Sequence, residues 1–521
     1  MDSKKSIVLA NPPLPYRDGR SMVPLGLASL HGSLVQAGYE NAHMIDAERD
    51  GLDTMEAMVR RIRELVGDKL DFIGVGVLPA ALVAAKDMIA TVRDEFDDPE
   101  VCVGGYLPTS FGAQTLDHLN GESRPDYVVG GRGETALLDI LEHGKARPIP
   151  NVITTHASGE ILDGGREPVD ISNLAWATRE NLENGGHVMI NRLLGCPGRC
   201  TFCTVHKYAR DSKGRKINQR PPADFVGEIS HLYHEYGTTG FDIVDDDAFG
   251  DNPEEWHDIM DEMDQQGLKG KINFWLLTRL EAVVNNPELI KRMAEYGMTS
   301  TYCGLESLNE RQLKLYAKMS SRLSTVDYPT FLQQAASSLQ ILKENGVIPK
   351  YGFIPFDAEV TPDEVRENIA LARELGLLYY VSELTKRLSI YRGSAIQRQY
   401  RRKGYLTEPV GDNDEAWLVQ RYSYRFQHPA IERLRSFLNI WARGTYRARL
   451  FTKGVNRKRF NNPDAPESKA AWDLYKALRD IEASMVEEIL TLAENGASNE
   501  AIMDRLGHWM GQYNEMPGRF Y

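Results

Sequence analysis

Short apolar runs alternate with amphipathic helical stretches along most of the first 390 residues, and this alternation constrains the fold more than any other feature of the chain. The runs lie at residues 6–10, 42–47, 71–77, 100–105, 126–131, 187–195, 240–246, 272–278, 300–307, 349–356 and 378–390. Strands that are separated by helices are typical of parallel sheets with helices on their faces. The sequence therefore predicts an α/β fold built on parallel sheets.

The spacing of these runs predicts three domains and one linker. Residues 1–150 hold five strands, which indicates a Rossmann-like, doubly wound parallel sheet with a ligand crevice beyond the carboxyl ends of its strands. Residues 151–185 show little periodicity and are interpreted as the linker. Six βα repeats in residues 186–395 indicate a partial (β/α)6 barrel, whose active site is expected at the carboxyl ends of the strands. Residues 396–521 lack strand patterning and predict a mainly helical C-terminal domain.

Charge and composition narrow the classes of function. The 521 residues carry a formal net charge of −13, and this acidic balance disfavours a broad nucleic-acid interface, which needs clustered Lys and Arg. The first residues lack the apolar core of a signal peptide, and no apolar stretch is long enough to span a membrane. We therefore expect a cytoplasmic protein with a small-molecule substrate.

Three of the five cysteines lie close together, in the sequence GCPGRCTFC at residues 195–203. This spacing suits metal ligands in a reducing compartment better than disulfides. Thiolates from Cys196, Cys200 and Cys203 could bind three irons of a cubane cluster and leave the fourth iron open. Two alternatives remain, which are a structural zinc site completed by His206 and three thiols buried in the protein core.

The C-x3-C-x2-C spacing, Phe202 before the third cysteine and the position after the first barrel strand resemble the radical S-adenosylmethionine (SAM) superfamily. The resemblance implies a [4Fe–4S] cluster on Cys196, Cys200 and Cys203. It also implies that the amino and carboxylate groups of SAM chelate the open iron, with Phe202 near the bound SAM. An electron donor of the flavodoxin or ferredoxin type would reduce the cluster.

The resemblance extends to the ends of the later barrel strands, which contact SAM in relatives. The matching residues are Asp245, Asp246, Asp247, Arg279, Glu306, Ser307, Phe353, Ile354 and Pro355. The three aspartates match an acidic motif, Arg279 could bind the SAM carboxylate through two hydrogen bonds, and the last three residues match the apolar motif under the adenine. The alternative for the aspartates is a helix cap, and that for Arg279 is a salt bridge at the barrel rim. The alternative for the last three residues is a plain buried strand.

A Rossmann-like domain before such a barrel resembles the cobalamin-binding class, which includes the anaerobic magnesium-protoporphyrin cyclase and many natural-product C-methyltransferases. The residues that match its binding motifs are Asn11, Pro12, Pro24, Leu25, Gly26, Gly76, Gly104, Gly105, Leu107, Thr109, Gly131, Gly133 and Glu134. The D-x-H-x-x-G motif, which carries the lower axial histidine of classical cobalamin enzymes, is absent, and Leu107 occupies the place where relatives often have histidine. The domain therefore either binds cobalamin without a protein imidazole or no longer binds it.

The two remaining cysteines and the basic C-terminal region give weaker signals. Cys102 and Cys303 lie in predicted strands and are expected in the core, although Cys303 is also the one candidate for a catalytic side chain in the barrel cavity. Basic and aromatic residues are concentrated between 401 and 460, a region that closes the barrel mouth in relatives. They predict either a pocket for an anionic or aromatic substrate or a solvated basic face.

Together these motifs predict a cobalamin-dependent radical SAM methyltransferase that acts on an unactivated carbon of a small molecule or natural-product precursor. A 5′-deoxyadenosyl radical would abstract a substrate hydrogen, and methylcobalamin would then supply the methyl group. Two alternatives fit the same motifs. One is a radical SAM enzyme that catalyses cyclisation, ring rearrangement or oxidation without methylation, and the other is a cobalamin or cluster sensor without turnover.

Overall fold

The computed structural model describes residues 4–13, 23–78, 81–156, 158–179, 187–205, 217–407, 421–445, 448 and 466–516. His206 and most of the basic segment between 442 and 460 lie outside these residues. The described part consists of two large sheets with surrounding helices, followed by a group of C-terminal helices. This architecture confirms the predicted α/β class.

The first sheet has seven strands in the order β2-β1-β3-β4-β5-β6-β7. The strands are β1 (Ile7–Asn11), β2 (Ala42–Asp46), β3 (Phe72–Gly76), β4 (Glu100–Gly104), β5 (Tyr127–Val129), β6 (Val152–Thr155) and β7 (Ile161–Asp163). The helices of this part are α1 (Leu25–Gln36), α2 (Met55–Val66), α3 (Leu82–Glu95), α4 (Tyr106–Phe111), α5 (Thr115–His118) and α6 (Glu134–His143). Strands β1 to β5 are parallel and their apolar side chains are buried on both faces, as a doubly wound sheet requires.

The segment predicted as a linker contains the last two strands of this sheet. Strand β6 pairs antiparallel with β5, for example at Val128 and Ile153, and β7 pairs antiparallel with β6. All four residues of β6 are buried, but the run is too short for sequence periodicity to reveal it. The sheet therefore extends further along the chain than the sequence predicted.

The second sheet is wholly parallel and has the strand order β14-β13-β12-β11-β8. Its strands are β8 (Val188–Ile190), β11 (Gly240–Ile243), β12 (Asn273–Arg279), β13 (Met298–Glu306) and β14 (Ile348–Phe353). A short antiparallel ribbon, β9 (Leu193–Leu194) with β10 (Asn218–Gln219), follows the first strand. A second ribbon joins β15 (Ile390–Tyr391) to β16 (Arg421–Tyr422).

The sixth strand predicted for the barrel, at 378–390, is not a continuous strand. It contributes only isolated parallel bridges, from Val381 to Tyr351 and from Arg387 to Phe356. The hydroxyl of Ser382 accepts the N–H of Phe353 at 3.1 Å, so a side chain takes the bond that a regular backbone ladder would make there. The barrel thus has five regular strands and an irregular sixth edge.

Helices cover the second sheet and form the C-terminal part, which confirms the predicted helical character of that region. The barrel helices are α7 (Pro222–Tyr236), α8 (Glu255–Gln265), α9 (Leu280–Asn285), α10 (Pro287–Glu295), α11 (Glu310–Tyr316), α12 (Tyr328–Glu344) and α13 (Pro362–Glu374). The later helices are α14 (Ala395–Arg402), α15 (Pro429–Gly444), α16 (Pro466–Glu494) and α17 (Asn499–Glu515). Local signals set several ends: Thr361 and Glu364 form a capping box at the start of α13, and Gly237 ends α7 in a left-handed conformation.

Candidate active site

The cysteine loop follows β8 and β9 at the carboxyl end of the barrel sheet. The sulfur atoms of Cys196 and Cys200 face the same glycine, since a Cβ at Gly198 would lie 3.2 and 3.8 Å from them. The backbone N–H of Gly198 donates to the sulfur of Cys196 at 3.3 Å, and that of Val205 donates to the sulfur of Cys203 at 3.4 Å. Such N–H donors favour the thiolate form that iron requires.

The three thiols are largely buried, and burial changes their acidity. It raises the pKa of Cys196 to about 12 and that of Cys203 to about 11, and it also raises the pKa of Cys200. Free thiols here would stay protonated at neutral pH, so the thiolates form as a metal displaces the protons.

No three Cys, His, Asp or Glu side chains among the described residues converge as the ligands of a single ion would.

Two of the predicted SAM-binding aspartates hold the backbone that leads into the cysteine loop. One carboxylate oxygen of Asp245 accepts the N–H groups of Arg192 and Leu193, at 2.7 and 2.9 Å. The carboxylate of Asp246 accepts the N–H of Gly195 at 2.8 Å. Burial raises the pKa of Asp245 to about 6, and its second oxygen has no hydrogen-bond partner among the described residues. These two side chains thus face the loop backbone and fix its path.

The third aspartate forms an ion pair with the predicted carboxylate-binding arginine. Arg279 donates through Nε to Asp247 at 2.6 Å, through Nη1 to Glu281, and through Nη2 to the carbonyl oxygen of Gly250 at 3.1 Å. All three nitrogens therefore have protein partners. The structure places Arg279 in a salt bridge at the barrel rim, beside a small cavity that Cys200 also lines.

Glu306 extends into the barrel from the end of β13. Its backbone is left-handed, with φ of 69°, and the register between β13 and β14 shifts between Gly304 and Glu306. A Cβ at Gly352, the register partner of Gly304, would lie 3.0 Å from both the carboxylate of Glu306 and the hydroxyl of Tyr302. Two glycines on adjacent strands therefore leave the space beside this carboxylate open. A strained non-glycine backbone is often found at functional sites.

The other predicted SAM-binding residues have packing partners inside the protein. Ser307 is fully buried and donates to Gln312, behind the strand end. Phe353 ends β14, and the buried residues Ile354 and Pro355 follow it, with carbonyl oxygens that accept from Tyr316 and Gln312. Phe202 packs edge-to-face on Tyr316, with a centroid distance of 5.7 Å, and so ties the cysteine loop to α11.

Sequence reasoning missed Lys318, which follows α11. Its side chain is 9% exposed and reaches the barrel interior, where a Cβ at Gly304 would lie 2.8 Å from its Nζ atom. Glu306 lies 3.9 Å away, and Cys200 lines the same cavity. The only sequence signal was a lysine eleven residues after the GLES motif, and this spacing is too weak to interpret alone.

Cys303 and Cys102 are core residues. Cys303 is fully buried on the side of β13 that packs against helices, whereas Tyr302, Gly304 and Glu306 alternate on the other side. Cys102 lies in the hydrophobic core of the first sheet. The structure thus places Cys303 away from the barrel cavity in which the sequence had made it a catalytic candidate.

Most residues of the predicted cobalamin motifs meet at the carboxyl ends of β1, β3, β4 and β5. A Cβ at Gly76 would lie 2.2 Å from the side-chain oxygen of Asn11, which donates through its amide to Asp46 at 2.9 Å. A Cβ at Gly104 would meet nothing within 4 Å, and Gly105 has a φ of 104°. Gly104 therefore leaves open space at the end of β4 that a large ligand could approach, whereas the side chain of Asn11 fills the space beside Gly76.

The α4 segment links two of these loops. The hydroxyl of Thr109 accepts the N–H of Gly131 at 2.9 Å and donates to the carbonyl oxygen of Gly105 at 2.6 Å. Leu107 is fully buried in the core of the sheet, below this loop. An apolar side chain that faces the core offers no polar ligand toward the crevice.

The remaining motif residues lie around α1 and α6. Glu134 is buried and accepts from Ser29 at 2.7 Å and from Arg132 at 2.5 Å, so its carboxylate is used inside the protein. Five others lie after β1 or at the starts of these helices, namely Pro12, Pro24, Leu25, Gly26 and Gly133. Of these, Gly26 is exposed and Pro12 is buried.

One short segment, which ends in the first turn of α14, joins the cysteine loop to the crevice of the first sheet. The N–H of Ile396 donates to the carbonyl oxygen of Thr201 in the cysteine loop at 2.9 Å. Arg392, four residues earlier, lies 4.1 Å from the ring centroid of Phe111 and hydrogen-bonds to Gln114, just after α4. The cysteine loop and the crevice therefore lie on the same side of the molecule, next to each other.

The family model of the radical SAM superfamily matches residues 190–377, a stretch that contains the cysteine loop and β11 to β14. This part of the chain is a radical SAM domain. A radical SAM domain implies a [4Fe–4S] cluster and SAM as cofactors, which confirms the prediction from the cysteine motif.

Several curated relatives align with more than half of the chain, and two of them show the range of reactions. The anaerobic magnesium-protoporphyrin IX monomethyl ester cyclase of Cereibacter sphaeroides is 25% identical over 370 residues, which are 68% of this chain and 56% of the cyclase. The hopanoid C-3 methylase of Methylococcus capsulatus is 24% identical over 310 residues, which are 57% of this chain and 56% of the methylase. The chain thus spans little more than half the length of these relatives.

Two solved structures share the arrangement of a radical SAM domain and a preceding sheet. OxsB, a cobalamin-dependent SAM radical enzyme solved with aqua-cobalamin and SAM, has a TM-score of 0.74 at 16% identity, over 99% of this chain and 80% of its own. The radical SAM methyltransferase TsrM of Kitasatospora setae has a TM-score of 0.61 at 17% identity, over 78% of this chain and 79% of its own. These similarities confirm the fold that the resemblance implied.

No helix within the described residues is long and apolar enough to cross a membrane.

Proposed function

We propose that the protein is a cobalamin-dependent radical SAM methyltransferase that acts on an unactivated carbon of a small molecule or natural-product precursor. The proposal rests chiefly on the contacts that Arg392 makes with Phe111 and Ile396 makes with Thr201. Through these contacts the crevice of the first sheet lies beside the cysteine loop. A methyl donor and a radical source must both reach one substrate, so adjacent sites are what this reaction needs. The methylase and methyltransferase among the similar proteins support the same reaction class.

The residues of this chain would bind, orient and shield the reactants. When bound, the cluster with SAM would supply a radical that removes a substrate hydrogen, and cobalamin would supply the methyl group. Cys196, Cys200 and Cys203 would hold the cluster, with Asp245 and Asp246 fixing their loop. We propose in the same way that the other residues predicted from the radical SAM motifs contact SAM.

Glu306 would face the bound SAM from the open space beside Gly304 and Gly352. The strand ends that carry Gly76, Gly104 and Gly105 would accept the corrin ring, with open space beside Gly104. Because Leu107 points into the core, the cobalt would receive no side-chain ligand from this position.

We further propose the domain limits 1–150, 151–185, 186–395 and 396–521 for the sheet domain, the connecting segment, the barrel and the C-terminal helices. The connecting segment carries the strands β6 and β7 as part of the first sheet. The C-terminal helices would cover the substrate, and a reductant of the flavodoxin or ferredoxin type would supply electrons.

Anaerobic reconstitution tests the proposal. Protein loaded with iron, sulfide, hydroxocobalamin and SAM should retain about one corrinoid per chain after gel filtration and should, with dithionite, form both 5′-deoxyadenosine and S-adenosylhomocysteine. Protein that retains no corrinoid at all contradicts the methyl-transfer reaction. Protein that binds both cofactors but never cleaves SAM supports a sensor instead.

A non-methylating radical reaction, such as cyclisation, is the second candidate. The alignment with the magnesium-protoporphyrin cyclase favours it, because that alignment covers 68% of the chain against 57% for the methylase. Formation of 5′-deoxyadenosine without S-adenosylhomocysteine would identify this reaction.

A further inference from the structure

Lys318 is a buried cation inside the radical SAM domain. Its side chain is 9% exposed, and the ion pair found for it among the described residues is with Glu306. The nearest carboxylate oxygen, from Glu306, lies 3.9 Å away, which is too far for a hydrogen bond. A buried ammonium normally requires close anionic or polar partners, so this group lacks part of its expected environment.

The backbone around Lys318 directs the ammonium toward the cysteine loop. Ala317 is left-handed, with φ of 53°, and turns the chain sharply at the end of α11. The next residues return to the cysteine loop, where Ser321 forms an antiparallel bridge with Gly198. A left-handed alanine costs free energy, so the turn persists because the surrounding contacts hold it.

Glycine at position 304 makes room for this lysine. A Cβ at Gly304 would lie 2.8 Å from the Nζ atom of Lys318 and 3.1 Å from the carboxylate of Glu306. Lys318, Gly304, Gly198 and Cys200 line one small cavity. The ammonium is thus placed against the part of the loop that carries Cys200.

We propose that Lys318 is a positioning residue whose charge compensates the anionic cluster and thereby raises its reduction potential. The inference rests on the cluster implied by the radical SAM domain, and it deepens the proposed function. Three thiolates and the bridging sulfides give the cluster a net negative charge, which grows by one when a single electron reduces [4Fe–4S]2+ to [4Fe–4S]+. A fixed positive charge nearby stabilises the more negative, reduced form.

A redox titration of the reconstituted protein tests the role of the charge. Dithionite supplies the electron through mediators, and the electron paramagnetic resonance signal of the reduced cluster measures its fraction, with SAM, corrinoid and substrate left out. At a fixed potential we expect Lys318→Met to lower the ratio of reduced to oxidised cluster about tenfold or more, which corresponds to a shift of about 59 mV. Lys318→Arg, which keeps the charge, should stay close to the wild type.

Lys314, in the helix α11 that precedes Lys318, supplies a matched control. It is exposed and pairs with Glu310, so Lys314→Met should leave the ratio unchanged. A wild-type ratio in Lys318→Met, or an equal shift in Lys314→Met, would overturn the proposal. An equal decrease of the ratio in Lys318→Arg would overturn it as well, because the shape of the side chain and not its charge would then determine the reduction potential.

Two further variants keep the test decisive if Lys318→Met fails to hold a cluster. Gly304→Ala should displace the ammonium and lower the ratio, whereas Glu306→Gln should remove an opposing charge and raise it. The absence of either shift would contradict the proposal. Since no corrinoid or substrate is present, failure of methyl transfer would not affect these results.

Discussion

The substitution Asp245→Asn should preserve the cysteine loop and stabilise the barrel at alkaline pH. Both N–H groups that Asp245 accepts, from Arg192 and Leu193, bond to the same carboxylate oxygen, and the second oxygen has no partner among the described residues. An asparagine in the same rotamer keeps the accepting oxygen and replaces only the unpartnered one. The side chain is 1% exposed, so ionisation there is costly.

The size of the effect follows from the pKa of Asp245, which burial raises from 3.8 to about 6. The folded state holds the proton of Asp245 more tightly than the unfolded state does. The stabilisation of the folded state by this protonated carboxyl is therefore complete below pH 3.8 and is lost as the pH rises to 6. The loss amounts to about 3 kcal/mol. Asparagine cannot ionise, so it should avoid this loss.

Differential scanning calorimetry of the cluster-free protein at pH 5 and pH 8 measures the difference. We expect the barrel of Asp245→Asn to be more stable than that of the wild type at pH 8, and to exceed it by about half as much at pH 5. Asp245→Ala, the control, leaves two buried N–H groups unpaired and should lose about 2–6 kcal/mol at both pH values. A less stable Asp245→Asn at pH 8 would refute the reasoning and would mean that the negative charge itself holds the loop.

Three other substitutions test neighbouring parts of the site. Cys200→Ser should lose most of the iron and sulfide in chemical analysis, because a hydroxyl is a poor iron ligand, while Cys102→Ser should keep them. Gly352→Ala places a Cβ 3.0 Å from the Glu306 carboxylate and should weaken SAM binding about tenfold in equilibrium dialysis without changing the cluster content. Arg392→Ala removes the contacts with Phe111 and Gln114 and should lower corrinoid retention after gel filtration, with SAM cleavage less affected. An unchanged corrinoid content in this last variant would show that the contact does not shape the crevice.

Several strands could be predicted because their signals are local. Five strands of each sheet lie where apolar runs predicted them, since burial on both faces leaves a run of apolar side chains in the sequence. The strands β6 and β7 were missed because short antiparallel edge strands, such as Val152–Thr155, leave no periodic pattern. The sixth barrel strand was predicted from an apolar run that pairs only at isolated bridges.

Side-chain partners were predicted less well than backbone elements. Asp245 and Asp246 lie at the expected strand end, but their carboxylates bind the cysteine-loop backbone. Arg279 adopts the salt bridge that the sequence had left as the alternative. An acidic or basic residue at a strand end can choose among several partners, and only packing between distant segments decides among them.

The sequence by itself determined the parallel sheets and the cysteine motif, because strand periodicity and ligand spacing are properties of neighbouring residues. Only the tertiary structure decided that Lys318 approaches Cys200 and that Arg392 places the glycine-lined crevice beside the cysteine loop. These contacts join segments far apart in the chain, and the position of Lys318 depends on two left-handed residues, Glu306 and Ala317, whose strain is sustained by the packing around them.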